Sequence, residues 1–142
     1  MDASFTHILL PLDFSQQNQQ AIDHAIRVAE PTAARITLLH VIETVDCAET
    51  NELRDFYNGL ETQAETRLAE FRTRFPEDRL DVQSQIVFGR RGPEIVRFVA
   101  DHHVDLIILG AGDPASQQPA ARLGTLSYQV ALMCNCSVLL VK

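Results

Sequence analysis

The chain has 142 residues, of which 46% are hydrophobic, and its formal net charge at pH 7 is -7. This length predicts one domain covering residues 1–142. No apolar run approaches the roughly 18 residues of a membrane-spanning helix, and no signal peptide begins the chain, so we expect a cytoplasmic protein. Acidic residues are scattered along the chain, which argues against DNA or RNA as the main partner.

The cysteines, lysines and histidines exclude several kinds of site. Cys134 and Cys136 are separated by one residue, which fits neither a redox C-x-x-C motif nor a paired zinc knuckle, and Cys47 stands apart. We therefore expect reduced, mainly structural cysteines. The only lysine is the last residue, Lys142, so no P-loop lysine or internal Schiff-base lysine is present. The histidines form no metal-ligand pattern, and no metal site is predicted.

The first third of the chain predicts a strand, a helix and a second strand. Residues 7–12 are apolar, which is typical of a short buried strand. Ser15 lies where a helix N-cap is expected, and apolar residues at helical spacing follow until Pro31 ends the helix. Residues 36–42 predict the second strand.

A long amphipathic helix, a third strand and a third helix are predicted next. Apolar residues three or four positions apart predict a helix that ends before Pro76. Its predicted core-facing stripe comprises Leu53, Phe56, Tyr57, Leu60, Ala64, Leu68, Phe71 and Phe75. Alternation over residues 80–88 predicts an edge strand with one wetter face. Pro93 is placed in the first turn of the next helix. The predicted inner face of that helix comprises Ile95, Val96, Val99 and Ala100.

Two further apolar runs complete the predicted sheet. Val104 and residues 106–109 form a run that ends at Gly110, which is typical of a strand covered on both faces in the middle of a parallel sheet. A site can therefore open only at the end of this strand. Residues 137–141 predict the fifth strand, and alternating strands and helices predict an open, doubly wound parallel sheet.

Glycines surround the loop that follows the fourth strand. Gly110 and Gly112 allow the backbone to turn sharply, and Gly124 does the same where Thr125 begins a helical pattern. The backbone N–H groups at that helix start, the helix dipole and the hydroxyls of Thr125 and Ser127 predict a phosphate cradle without a lysine. The alternative is that these are ordinary turn glycines.

This glycine pattern resembles the nucleotide loop of the universal stress protein family, and the resemblance covers nearly the whole chain. In that family the loop follows the pattern G-x-x-G-x9-G-S/T. This chain keeps Gly110 and the pair Gly124 and Thr125. It departs in the middle, because Asp113 occupies the second glycine position, Gly112 lies one place early, and the loop is one residue longer.

The resemblance implies an α/β fold with an open, doubly wound, five-stranded parallel sheet. This fold is Rossmann-like and adenine nucleotide alpha hydrolase-like, with the strand order 3-2-1-4-5. Ligands in such a sheet lie where the strand order reverses, here between the first and fourth strands. The resemblance also implies a homodimer through the edge strand from Ser137 to Val141, which would cover an exposed apolar edge.

The resemblance assigns an adenine nucleotide to this crevice: ATP, alone or with Mg²⁺. Asp13 and Val41 would border the adenosine, while Gly110, Gly124 and Thr125 would bind the phosphates. The predicted binding residues are Pro11, Leu12, Asp13, Val41, Gly110, Gly112, Arg122, Gly124, Thr125, Leu126 and Ser127.

Asp113 is the main objection to phosphate binding. A carboxylate about 4 Å from a phosphate charge costs roughly 1 kcal/mol in water and about 4 kcal/mol at an effective dielectric near 20. Asp113 must therefore turn away or share a magnesium ion with the phosphates, or the site does not bind. Arg122, Arg90 and Arg91 are candidate phosphate partners that would offset this charge.

Two functions stay open. The first is a cytosolic, homodimeric stress-response protein that binds ATP or another adenine nucleotide as a sensor. No general base or arginine-plus-lysine clamp predicts fast phosphoryl transfer, so we expect no dedicated enzyme, with slow hydrolysis or self-phosphorylation on Thr125 or Ser127 as the upper limit. The alternative is a dimeric interaction module of the same fold that has lost nucleotide binding.

Overall fold

The computed structural model describes residues 4–44, 51–110 and 125–142, with Thr125 described by its backbone alone. Five strands and four helices alternate along these segments. The strands are β1 (His7–Pro11), β2 (Arg35–Glu43), β3 (Val82–Gly89), β4 (Leu106–Gly110) and β5 (Ser137–Val141). The helices are α1 (Gln17–Ala29), α2 (Asn51–Arg72), α3 (Arg91–Asp101) and α4 (Thr125–Met133).

The five strands form one parallel sheet with the order β3-β2-β1-β4-β5. The predicted strand order is therefore confirmed. β1 lies at the centre and pairs with β2 from His7 to Pro11, and with β4 at Ile8 and Leu9. The chain leaves β1 toward one edge and returns to the other side at β4, so the strand order reverses between these two strands.

Two hydrophobic clusters cover the two faces of the sheet. Because side chains alternate along a strand, Ile8 and Leu10 join the cluster that includes residues of α1 and α2, whereas Leu9 joins the cluster that includes residues of α3 and α4. In β4, Ile107 and Ile108 divide between the two clusters in the same way. The middle of the sheet is thus covered on both faces, as its apolar runs predict.

The start of α1 differs from the prediction, because Ser15 is not its N-cap. The residue before the helix is Gln16, which makes no side-chain capping hydrogen bond. The turn is instead held from inside the helix by Asn18, which is 5% exposed and accepts the backbone N–H groups of Asp13 and Phe14. Asn18 therefore orders the turn before the helix, whereas an N-cap residue would accept N–H groups of the helix itself.

Helices α2 and α3 follow their predicted periodicity with local differences. α2 ends at Arg72, where a turn continues to the buried Phe75, and its first half is less covered, so Phe56 is 58% exposed. In α3, Pro93 lies in the first turn as predicted. The predicted inner face of α3 was partly wrong: Phe98 is buried, whereas Ala100 is exposed, because the buried stripe passes through Gly92, Ile95, Phe98 and Val99.

Both edges of the sheet are known from the strand order. β3 is one edge, and three of its residues in a row are exposed, which agrees with the predicted wetter strand. β5 is the other edge, and large apolar side chains lie exposed on β5 and on the neighbouring α4. These side chains are Tyr128, Leu132, Met133 and Leu140. Among the described segments, no helix is both long and apolar enough to cross a lipid bilayer.

Candidate functional site

The candidate site lies at the carboxyl edge of the sheet, where β1 and β4 end side by side. Pro11 ends β1, and the next residue, Leu12, is buried and donates its N–H to the carbonyl of Leu39 at 2.8 Å. Asp13 follows and is exposed. Gly110 ends β4. The fold therefore brings Asp13 and Gly110 to the switch point of the sheet, as predicted, where open α/β sheets bind their ligands.

The turn from β1 to α1 fixes the position of Asp13. Asn18 Oδ1 accepts the N–H of Asp13 at 3.1 Å and the N–H of Phe14 at 2.7 Å, and Asp13 Oδ1 accepts the N–H of Ser15 at 2.9 Å. Phe14 has a φ of 66°, a conformation that costs a non-glycine residue about 1 kcal/mol or more. These hydrogen bonds hold the strained turn and fix the Asp13 carboxylate relative to the sheet.

Gly110 and Ser127 meet on the other side of the switch point. Ser127 lies in the first turn of α4, is 4% exposed, and donates its hydroxyl to the carbonyl of Gly110 at 2.9 Å. Gly110 also lies against α1, because a Cβ added there would be 3.4 Å from both Cβ and Oε1 of Gln17. The end of β4 is therefore anchored to the start of α4 and packed closely against α1.

The end of β2 contributes Val41 and His40 to the same edge. Val41 is 4% exposed and belongs to the cluster beneath α3 and α4. His40 points to the other face, where Nδ1–H donates to the carbonyl of Leu12 at 2.7 Å and the ring stacks on Phe14 with centroids 4.2 Å apart. Burial is the largest influence on the pKa of His40 and lowers it, so the ring is neutral near pH 7.

A cleft of about 340 Å³ opens beside this edge, between the end of β2 and α2. The Phe14 and His40 rings form part of its wall, and the Arg67 guanidinium lies 5.4 Å from the Phe14 ring centroid. Arg67 also donates to the Phe14 carbonyl at 3.4 Å. Sequence reasoning missed Asn18, His40 and Arg67 as positioning residues. Their only sequence signal is their type, because the contacts join residues that are distant in the chain or lie within a turn.

Several predicted binding residues lie outside the described residues, namely Gly112, Arg122 and Gly124. Asp113, whose charge opposes phosphate binding, also lies outside them. The side chain of Thr125 is also outside the description. Leu126 is half-buried and packs against the cluster beneath α3 and α4. Two other candidate phosphate partners are described. Nε of Arg91 lies 3.6 Å from Oε1 of Glu43, and Arg90 directly precedes α3. In the part of the chain that the structure describes, no group of three or more His, Cys, Asp or Glu residues is arranged to hold a metal ion.

Comparison with known proteins identifies the family. A model of the universal stress protein family matches residues 4–142, which is almost the full length. The chain belongs to the universal stress protein family. Its five-stranded parallel sheet, with helices on both sides and the order β3-β2-β1-β4-β5, matches solved structures of universal stress proteins.

Individual relatives align with this chain over nearly their whole length. The universal stress protein MJ0577 of Methanocaldococcus jannaschii is 25% identical over an alignment that covers 100% of this chain and 98% of that protein. A structure of MJ0577 superposes with a TM-score of 0.86 at 28% identity, covering 99% and 97% of the two chains. The universal stress protein UspA from Lactobacillus plantarum superposes with a TM-score of 0.80 at 25% identity, covering 99% and 100%.

Two more distant structures contain adenine nucleotides. A universal stress protein in complex with cAMP is 18% identical, with a TM-score of 0.74 and coverage of 98% of both chains. A universal stress protein from Archaeoglobus fulgidus in complex with dAMP is 16% identical, with a TM-score of 0.67 and coverage of 97% and 98%. At these identities the likeness establishes the fold, and the ligands belong to those two proteins.

Proposed function

We propose that this universal stress protein binds ATP or another adenine nucleotide at the carboxyl edge of β1 and β4, as a cytoplasmic homodimeric sensor. The observation that carries the proposal is the exposed Asp13 carboxylate, which is held beside the end of β4 by the Asn18 turn. The cAMP and dAMP complexes of two proteins with the same fold support an adenine nucleotide as the ligand.

Each part of the proposed site has a chemical role. Asp13 accepts hydrogen bonds from the ribose hydroxyls, which is a common role for a carboxylate in doubly wound sheets. The first turn of α4 supplies backbone N–H groups and the positive end of a helix dipole to the phosphates. Ser127 takes part through its backbone N–H, because its hydroxyl already donates to Gly110. In the resembled loop, the positions of Gly110 and Gly124 border the phosphates.

The proposed activity is binding and not rapid catalysis. Phosphoryl transfer depends on groups that stabilise charge on the transferring phosphate, such as a lysine or an arginine finger with a metal. The only lysine of the chain is Lys142, the residue directly after β5. Ser127 is buried with its hydroxyl engaged, so of the two predicted self-phosphorylation sites Thr125 is the better candidate.

The proposed dimer is supported by the exposed apolar surface along β5 and α4. Leu140 is 43% exposed on the edge strand, and Leu132 is 69% exposed on the adjacent helix. An unpaired apolar edge strand favours association, and pairing with a second copy satisfies the same backbone groups on both strands. The proposal therefore places the dimer interface on this surface.

A dimeric interaction module without nucleotide is the second candidate, and two observations favour it. Asp13 Oδ1 and the Ser127 hydroxyl, both predicted to face the nucleotide, make hydrogen bonds within the protein. The sequence also places Asp113 where the resembled loop has a glycine. In this second case the turn from β1 to α1 would serve only to hold the fold.

A thermal melt of the nucleotide-stripped protein separates the two candidates. A ligand that binds only the folded state stabilises it by about 2.7 kcal/mol at a hundredfold excess over its dissociation constant, which is several degrees for a domain of this size. We expect a saturable rise with ATP and Mg²⁺, a smaller one with GTP, and loss of the rise in Asp13→Ala. An unchanged melting temperature at millimolar ATP would favour the interaction module.

A further inference from the structure

We propose that Cys134 and Cys136 are a redox-active dithiol, which reacts with a low-molecular-weight disulfide to form a reversible intramolecular disulfide. The sequence pattern C-x-C predicted only reduced, structural cysteines, and both thiols are free in the structure. Their arrangement in the fold favours a redox reactivity that the sequence pattern did not predict. The proposal is independent of nucleotide binding.

The backbone places both cysteines on the same face of the sheet. Cys134 follows the last residue of α4, and its N–H donates to the carbonyl of Val130 at 2.9 Å. Cys134 and Cys136 are both half-buried and pack against the cluster beneath α3 and α4, whereas Asn135 between them is exposed. Each thiol also shifts the pKa of the other, as expected for sulfur atoms that lie near each other. A second thiol only two residues away gives the ring-closing step a high effective concentration.

Cys136 is also partly exposed to solvent. It lines an open cleft of about 420 Å³ at the amino end of β5, opposite the proposed nucleotide site. Asn135 and Asp105 line the same cleft. A small disulfide can therefore reach Cys136 without unfolding of the sheet, which makes Cys136 the attacking thiol and Cys134 the resolving thiol.

The reaction balances as two thiol–disulfide exchanges. The Cys136 thiolate attacks one sulfur of the small disulfide, forming a mixed disulfide and releasing one small thiol. The Cys134 thiolate then attacks Cys136 Sγ, forms the protein disulfide and releases the second small thiol. The protein loses two protons and two electrons, and the small disulfide takes them up and is reduced to two thiols.

The surroundings make this exchange slow at neutral pH. Burial, followed by the neighbouring Cys134 and Asp105, raises the pKa of Cys136 to about 11, and burial also raises the pKa of Cys134. Because the thiolate is the reacting form, the rate should rise about tenfold between pH 8 and pH 9, whereas an ordinary thiol with a pKa near 8.5 rises about threefold. The raised pKa values leave the reduced pair without thiolate stabilisation, which favours the disulfide once it has formed.

The test uses the full-length reduced protein and oxidised glutathione, with intact mass and peptide mapping after an acid quench. We expect a product lighter by two hydrogens, linked between Cys134 and Cys136 and reversed by dithiothreitol. Cys134→Ala should instead accumulate glutathione on Cys136, because the resolving thiol is absent. Cys47→Ala is the matched control and should still form the disulfide, and melting curves confirm that each variant is folded.

Three outcomes would overturn the proposal. The first is wild-type protein that retains glutathione on Cys136 and forms no internal disulfide. The second is an internal disulfide that includes Cys47. The third is a pair of thiols that stays unmodified over the full range of glutathione redox ratios at pH 9 while the chain remains folded.

Discussion

The side-chain oxygen of Asn18 holds Phe14 in a left-handed backbone conformation. Asn18 Oδ1 accepts the Phe14 N–H at 2.7 Å, and the φ angle of Phe14 is 66°. The same oxygen accepts the N–H of Asp13 at 3.1 Å. The buried amide of Asn18 therefore determines how the chain leaves β1. It also determines the position of Asp13, the residue proposed to bind the ribose.

Asn18→Ala should lower both stability and nucleotide affinity. Two backbone N–H groups lose their acceptor, so the free energy of unfolding should fall by about 1–3 kcal/mol. Affinity for ATP should fall as well, because Asp13 loses its fixed position. Denaturant unfolding and an ATP titration measure the two effects. Gln19→Ala, at an exposed position of the same helix, is the control, and equal behaviour of the two variants would contradict this role of Asn18.

Ser127→Ala should affect the fold more than the ligand. The variant removes the hydroxyl that donates to the Gly110 carbonyl, and the free energy of unfolding should fall by about 1 kcal/mol. The stabilisation produced by saturating ATP should stay the same, because the backbone N–H of residue 127 is retained. Ser84→Ala, at an exposed position of β3, is the control. A selective loss of the ATP-induced stabilisation would mean that the hydroxyl itself binds phosphate.

Asp105 should make stability depend on pH in the acid range. Burial alone would raise the pKa of Asp105, but hydrogen bonds from the Thr6 N–H, the His7 N–H and the Thr6 hydroxyl together hold it below its usual value. The unfolded chain therefore binds the proton at higher pH than the folded one. This stabilisation is present above about pH 4 and is lost as the pH falls through the folded pKa.

Asp105→Ala tests this linkage by unfolding experiments at several pH values. At pH 7 the variant should lose about 1 kcal/mol, a modest value because the group is partly exposed and screened. The difference from wild type should shrink below pH 4, where the carboxylate becomes protonated. Asp101→Asn, at the exposed end of α3, is the control. A difference between Asp105→Ala and wild type that is constant with pH would contradict the assignment.

Leu132→Arg should weaken the proposed homodimer. Leu132 is 69% exposed on α4, beside the edge strand β5, and a charge buried at an interface without a partner opposes association. The dimer dissociation constant should rise about tenfold or more. Analytical ultracentrifugation at several protein concentrations measures this change. Phe56→Arg, which places the same charge at another exposed apolar position on α2, is the control; equal weakening by both variants would contradict the interface.

The buried strands could be predicted from the sequence, because the apolar runs of a parallel sheet are short, continuous and bounded by turns. The strand order was implied by the resemblance to the universal stress protein family. β5 coincides with the predicted residues 137–141. Helix faces were predicted less well. Phe98 was missed and Ala100 wrongly included in α3, because a helix of period 3.6 allows neighbouring stripes that only the packing against the sheet distinguishes.

The candidate site was harder to predict, since its geometry depends on side chains and not on periodicity. The location of Asp13 and Gly110 at adjoining strand ends followed from the fold. The Asn18 turn and the contact between Ser127 and Gly110 could not be predicted, because a polar side chain in the first turn of a helix has several backbone groups within reach. The binding roles of Pro11, Val41 and the glycine loop stay predictions.

Calorimetric titration of ATP with Mg²⁺ into the nucleotide-stripped protein measures the proposed nucleotide binding itself. We expect saturable binding with one nucleotide per chain, weaker binding of GTP, and a loss of affinity of at least tenfold in Asp13→Ala without a comparable loss of stability. The absence of heat and of competition at millimolar ATP, with the wild-type protein folded, would contradict nucleotide binding. So would ATP binding that Asp13→Ala leaves unchanged.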